Sequence, residues 1–582
     1  MDQLLDFIQG EHSFPILTFL LQGTGTVLLL LAVVVLIYDR YIQRENQLLI
    51  NYPLIGRMRY VFYALRDPMR QYFGDEEFFD SFDKVRWVYN AAENKGLVSS
   101  FSPGQPLHGT RLVLKNANIV LNREEVSEHF SVTFGSGVRF PFTAASVVGR
   151  SAMSDGAISP EGTKAFAWGA FLGNFPINTG EGGLTSNFLM THRYDPKNCR
   201  YMQAKRGTLF ARGVYRLMRL LVNPAIAERV YRHMVLQPKE EETYLFDPVS
   251  LNCYRIDWNA PLEAFPETVP GDLPDIIFQM GSGLYGVRDN EGKFDAERYR
   301  KVMRFCRMTE IKLAQGAKQT GGKLLAEKVT DAVAYYRGIE PFRDINSPNR
   351  FPYARTLEEL FDFIGELKRL SEKPVGIKIV LASAVSFEPY AALIETRLAE
   401  GSEAFPDFIT VDGADGGSGA APLEMMMSVG MTLQKALYVV DRDLKRIGAR
   451  EKVKVIASEK VLTPDDATLL LALGADYVAI ARAFMMSAGC IRARECSGAN
   501  GRHCPVGLAT QDRKKRASFL IAQKAHRVAN YHRHLQEGIR GLMAVMGVHS
   551  LGELDHTRLD VRDGSGGRIR DVGAYFEAAV AG

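Results

Sequence analysis

The sequence predicts an α/β protein built on a (β/α)8 barrel, and three observations carry that prediction. Six strand-like runs recur along the chain: "IIFQMGSG" (276–283), "MTEIKLAQG" (308–316), "PVGIKIVLAS" (374–383), "DFITVDGADGG" (407–417), "KVKVIASEK" (452–460) and "ADYVAIARA" (475–483). They are apolar and rich in β-branched residues, as strands buried on both faces are. Amphipathic helical patterns such as "RTLEELFDFIGELKRLSE" and "APLEMMMSVGMTLQKALYVVDRDLKRIG" separate them, which implies parallel strands joined by crossovers. Finally, so many units at this length favour closure, and the Gly-rich loop that an open doubly wound sheet places after its first strand is missing.

The barrel is expected over 146–520. A chain of 582 residues has room for more than one folding unit, and 46% hydrophobic with 24% charged residues is ordinary for a folded protein. A net charge of +4 gives no argument for a nucleic-acid partner. Six cysteines in so long a chain do not form a disulfide framework. Cys490, Cys496 and Cys504 cluster, which points to metal or redox use in a reducing compartment.

Ahead of the barrel, Ser13 to Tyr38 carries no charged residue, and roughly 20 apolar residues suffice to cross a bilayer. Asp2, Asp6 and Glu11 precede the run, while Arg40, Arg44, Arg57 and Arg59 follow it. The positive-inside rule therefore sets residues 1–15 outside, a transmembrane helix over 16–38, and the rest in the cytoplasm, as a single-pass protein of the cell (inner) membrane. A cleaved signal peptide would want a basic n-region and a small-residue cleavage site, and neither is present. Residues 39–145 read as a juxtamembrane lead-in and 521–582 as a helical C-terminal extension. The stretch 184–271, with "RGVYRLMRLLVNPAIAERVYRHMVLQ", reads as an insertion carrying a solvated helix pair, with docking on a partner or the membrane face as the alternative.

Chemistry should gather at the strand ends. In "VDGADGGSGAAP" (411–422) successive glycines can turn backbone N–H groups toward one point, a phosphate cradle to which a following helix would add its dipole. "YVAIARAFMMSAGC" supplies a second phosphate-binding candidate, as loops after the last two barrel strands often do. "NTGEGGLT" sets Glu181 between glycines, and "EIKLAQGAKQTGG" sets Gln315 and Lys318 just past a strand. "VGIKIV" buries Lys378 among apolar neighbours. An unpaired buried ammonium is costly, so Lys378 should meet an anionic ligand or pair with Asp412 or Asp415.

The succession "MSDGAIS … NTGEGG … FQMGSGLYG … EIKLAQGAK … VGIKIV … VDGADGGSGAAP … GCIRAREC … CPVGLATQ" resembles the FMN-binding synthase domain of the glutamate synthase large subunit, in particular membrane-anchored relatives with this domain alone. The resemblance, over roughly 145–520, implies a TIM barrel binding FMN at its C-terminal mouth. Met153, Ser154 and Gln279 would contact the flavin, and Lys378 would sit by its N1/O2 edge. Gly416, Gly417, Ser418, Ala481 and Arg482 would hold the 5′-phosphate. Glu181 and Lys318 match the active-site carboxylate and lysine, and Arg337 matches the arginine that grips the carboxylate of 2-oxoglutarate. The implied reaction is reductive amination of that oxo acid with ammonia to glutamate, by an oxidoreductase of the class acting on CH–NH2 donors. Glu181 or Lys318 would handle the proton traffic.

The resemblance also implies a [3Fe–4S] cluster on Cys490, Cys496 and Cys504, although the second gap, "SGANGRH", is longer than the family's. Zinc on three cysteines with His503, or three free thiols, are the alternatives. Three further departures concern the substrate. "QTGGK" places Lys323 where the family has a substrate-contacting glutamine, "SPNRFPY" lacks the family's histidines, and Glu459 replaces a glycine. No glutaminase domain is expected in this chain, so ammonia would be free or come from a partner. Without an NAD fingerprint, electrons would come from a ferredoxin or a flavoprotein subunit. A 2-hydroxy-acid oxidase would need a histidine at a strand end, and none of the six runs carries one. The rival of another class is a membrane-tethered electron-transfer or scaffold subunit with degenerate catalysis. Self-association is left open.

Overall fold

The computed structural model describes residues 13–63, 82–98, 111–190, 202–204, 209–221, 236–238, 256–316, 321–414, 416–419, 429–498, 503–562 and 569–581, with a few single residues between. The chain forms two compact units, Met1–Phe78 with Met202–Pro238, and Phe79–Tyr201 with Lys239–Gly582.

The second unit is a closed barrel of eight strands. They are β1 (Val148–Arg150), β2 (Ile177–Asn178), β3 (Ile276–Met280), β4 (Met308–Lys312), β5 (Val375–Ile379), β6 (Phe408–Asp412), β7 (Lys454–Ser458) and β8 (Tyr477–Ile480). Every neighbouring pair is parallel, and β8 closes on β1 with Val478 opposite Val148. All five residues of β3, β5 and β6 are buried, which is why these runs show no alternation. The six predicted strands are β3–β8. No apolar run in the sequence marks β1 or β2, which are three and two residues long.

Local signals set the helices. Thr356 caps Leu357–Ser371 by accepting from the Glu359 amide, and Thr463 with Asp466 forms a capping box before Pro464–Ala472. The helix expected over 421–448 is described only from Leu433 to Arg446.

Two features complete the unit. A hairpin, Val132–Phe134 against Phe142–Ala144, packs Phe134 on Phe408 and Tyr477 at the N-terminal end of the barrel. The long helix Ile521–Val545 lies across Pro160–Gly173. At their crossing a Cβ on Gly169 would stand 2.6 Å from Val528 Cγ1, so only glycine permits this approach. The C-terminal extension is not wholly helical: Leu559–Arg562 pairs antiparallel with Arg111–Leu114 and with Ile569–Asp571.

In the first unit the helix Ser13–Ile37 runs into a π-helical turn, Tyr38–Ile42. Within it Gly23–Ile42 is long and apolar enough to cross a membrane, the one such span among the described residues. In its last turn, buried Asp39 accepts from Arg57 Nε at 2.9 Å and from the Leu54 amide at 3.3 Å. This ties the span's end to the turn at Ile55–Arg57.

Candidate functional site at the C-terminal barrel mouth

Lys378 projects into the barrel, because its Nζ reaches Ser458 Oγ on β7, two strands away, at 3.3 Å. It stands 3.4 Å from Asp412 Oδ2 on β6, which also accepts the Gly316 amide at 3.0 Å. The buried ammonium thus has its anion at Asp412, one of the two carboxylates expected. Beside it, Gly416 is buried while Gly417 and Ser418 are exposed. Arg482, following Ala481 at the end of β8, brings Nη2 to 3.3 Å from where a Gly417 Cβ would be. Gln315 Nε2 donates to the Gly417 carbonyl at 2.8 Å. The structure therefore gathers Lys378, the glycine loop and Arg482 on adjoining strand ends. The next described helix along the chain is Leu433–Arg446; residues 420–424 and 426–428, where the following helix is expected to begin, lie outside the described residues. Glu459 rests against Gly413.

Gln279 lies below this rim. Its Nε2 donates to Glu310 Oε1 at 2.6 Å, as does Asn178 Nδ2 at 2.9 Å. Thr410 donates to the other oxygen of Glu310. A buried carboxylate with three donors from three strands locks the interior amides in one orientation.

The loop after β2 holds Glu181, whose Oε2 accepts from Lys312 Nζ at 2.8 Å, and Lys312 on β4 is the register partner of Lys378 on β5. A Cβ on Gly322 would stand 2.3 Å from Glu181 Oε1, so glycine there is what lets the carboxylate lie under the 321–324 loop. Ser154 Oγ accepts the Gly182 amide at 3.1 Å, and the Met153 carbonyl accepts from Arg150 at 3.3 Å. Arg337 ends the helix Asp331–Arg337 and is buried. Its Nη2 donates to the Asp155 carbonyl at 3.1 Å and its guanidinium stands 5.3 Å over the Tyr285 ring, but its Nε has no hydrogen-bond partner. Burial lowers the Arg337 pKa, opposed by Tyr285, Glu181 and Asp155. Asp155 itself accepts from Thr185 and Asn187, each at 2.6 Å, pinning the loops after β1 and β2 together. Lys318 lies outside the described residues.

Cys490, Cys496 and Cys504 are free thiols that neighbour one another. Burial pushes the Cys490 thiol up to about 12, and the other two thiols add to the effect. Lys328 staples the loop by donating to the Cys496 carbonyl. Among the described residues, no three His, Cys, Asp or Glu side chains are drawn together closely enough to hold a metal ion.

Three functional neighbours were not singled out in the sequence: Lys312, Glu310 and Asp155. The first two alternate with isoleucine in "EIK", and that local pattern reads as strand alone.

A parallel eight-stranded barrel with a paired carboxylate and lysine, a buried arginine and a glycine–arginine cradle around one mouth defines a barrel protein equipped to receive anionic ligands. Comparison with known proteins narrows this class. The pattern described as a conserved region in glutamate synthase matches residues 109–549, and the chain belongs to that family. The glutamate synthase large subunit-like protein YerD of Bacillus subtilis (strain 168) is 31% identical over 552 residues, 87% of this chain and 88% of that protein. The archaeal glutamate synthase [NADPH] of Methanocaldococcus jannaschii is 33% identical over 342 residues, 56% of this chain and 61% of that protein. Among solved structures, a mandelate oxidase variant with an FMN adduct aligns at a TM-score of 0.35 and 13% identity, over 86% of this chain and 99% of that one.

Proposed function

We propose that this chain is a glutamate synthase-like FMN oxidoreductase, anchored by its N-terminal helix, that aminates 2-oxoglutarate or a related oxo acid with ammonia. The observation that carries the reading is the gathering of Glu181, Lys312 and Arg337 with Lys378, Gly417 and Arg482 at one end of the barrel, Lys312 and Lys378 being register partners on β4 and β5. The donor set fits FMN. Exposed glycine-loop amides beside a guanidinium suit a phosphate monoester, and an interior ammonium suits a ring that gathers negative charge. FMN, when bound, supplies the hydride.

The chain's own groups do the rest. Arg337 has an unpartnered Nε in a buried setting, where a carboxylate gains most from a fork of donors. It binds and orients the oxo acid. Glu181, held by Lys312, exchanges a proton at the carbonyl oxygen and then at the imine nitrogen. Lys318 remains the family-implied second member of this relay. Glu310 orients Gln279, and Gln279, Ser154 and Met153 would contact the flavin. Electrons would enter from a ferredoxin-like or flavoprotein donor.

The test is anaerobic. The purified chain, chemically reduced, is mixed with 2-oxoglutarate with and without ammonium, while flavin absorbance and glutamate are followed. Reoxidation that requires both substrates and yields glutamate in proportion is expected. Bound flavin that stays reduced would favour the electron-transfer or scaffold reading. The [3Fe–4S] reading rests on the cysteine motif alone, and iron and sulfide analysis of the same preparation decides it.

A further inference from the structure

The insertion between β2 and β3 leaves the barrel unit: Met202–Pro238 belongs to the compact unit of the apolar N-terminal helix. Its helix Leu209–Leu221 contains three arginines and no acidic residue. At 100° per residue Arg212, Arg216 and Arg219 share one face, while Val214, Leu217, Met218 and Leu221 share the other. That second face is partly open: Leu217 is 57% exposed and Leu221 69%, while Val214 and Met218 are half-buried. In the same unit Ile55 and Phe62, just past the span, are 76% and 64% exposed.

We infer that Leu209–Leu221 lies flat in the headgroup layer of an anionic leaflet, leucines inward and arginines among the phosphates. Its charge, its partly open apolar face and its membership of the unit with the span Gly23–Ile42 carry this assignment. A basic amphipathic helix binds such an interface through buried apolar area plus attraction to anionic lipid. Arg40 lies in the last turn of the span and Arg44, Arg57 and Arg59 follow it, so both sets of arginines meet the same, cytoplasmic leaflet. The N-terminal unit would then hold the membrane by two contacts, a span and a surface helix. The inference rests on reading Gly23–Ile42 as a span, and its test separates the two.

The full-length Leu217→Trp chain is reconstituted into nanodiscs of phosphatidylcholine with or without phosphatidylglycerol, each with and without nitroxide-labelled lipid. After subtraction of the unsubstituted chain, the new tryptophan should be quenched about twofold by the nitroxide in anionic discs and far less in neutral ones. In the unsubstituted chain, trypsin cleavage after Arg216 should be about tenfold slower in anionic discs than in neutral ones. Incorporation without quenching and without protection overturns the surface helix and leaves the span standing. Quenching and protection equal in both lipids overturn the anionic assignment. A chain that does not enter discs overturns the span and the surface helix together.

Discussion

The two ends of the barrel treat their charges differently. At the N-terminal end they are matched and covered. Lys368 and Asp407 pair at 2.9 Å, both buried, and the second Asp407 oxygen accepts the Val375 amide at 2.8 Å. Lys373 donates to the Cys306 carbonyl at 2.7 Å, and the hairpin around Phe134 covers the opening. At the C-terminal end the charged groups converge from different loops and leave capacity unused, as at Arg337 Nε. The lesson is that one end is built to close and the other to receive. In barrels of this architecture the two roles divide in this way.

Four measurements would break or sharpen that contrast. Glu181→Gln should lower amination turnover by about 10²–10⁴-fold while changing stability by less than about 1 kcal/mol; a large stability loss would make Glu181 a structural group. Asp407→Ala, which strands Lys368, should cost about 3–5 kcal/mol in urea unfolding and leave flavin affinity unchanged. Arg337→Lys should raise KM for the oxo acid about tenfold with kcat nearly constant, and a fall confined to kcat would contradict a binding role.

The smallest effect concerns His532, next to the N-terminal end. Its Nε2 lies 2.8 Å from Ser146 Oγ, its ring stacks on Phe175, and burial lowers its pKa to about 3. The folded state keeps it neutral, whereas an unfolded histidine takes up a proton near pH 6.5. Its contribution is therefore complete above about pH 6.5 and is lost at about 1.4 kcal/mol per pH unit down to about pH 3. Between pH 7 and 5.5 the His532→Phe protein should lose about 1.4 kcal/mol less stability than the unsubstituted one, as read from paired denaturation curves. Equal losses would mean that the ring is hydrated.

The sequence exposed the closing end less than the receiving end. Buried strands β3–β8 announce themselves as apolar runs, whereas β1 and β2, of three and two residues, are too short to show any period. The loops trailing them, "MSDGAIS" and "NTGEGG", were nonetheless legible, because glycine and acid at a strand end are unusual in a purely structural turn. Lys312 and Glu310 escaped notice since their inward direction depends on the stagger of the closed sheet, which no local pattern encodes. The pairing of Arg111 with Arg562 left no trace either, its partners being far apart in the chain.

The crossing at Gly169 governs how the molecule can be made. The helix that braces Pro160–Gly173 beside β1 is Ile521–Val545, which leaves the ribosome after all eight barrel strands. A nascent chain therefore holds its shortest strands without their brace until every barrel strand has been made. The apolar surface along Pro160–Gly173 would be open to chaperones until Val528 arrives. Stalled products ending before that residue should be cleared as unfolded rather than accumulate as partial barrels.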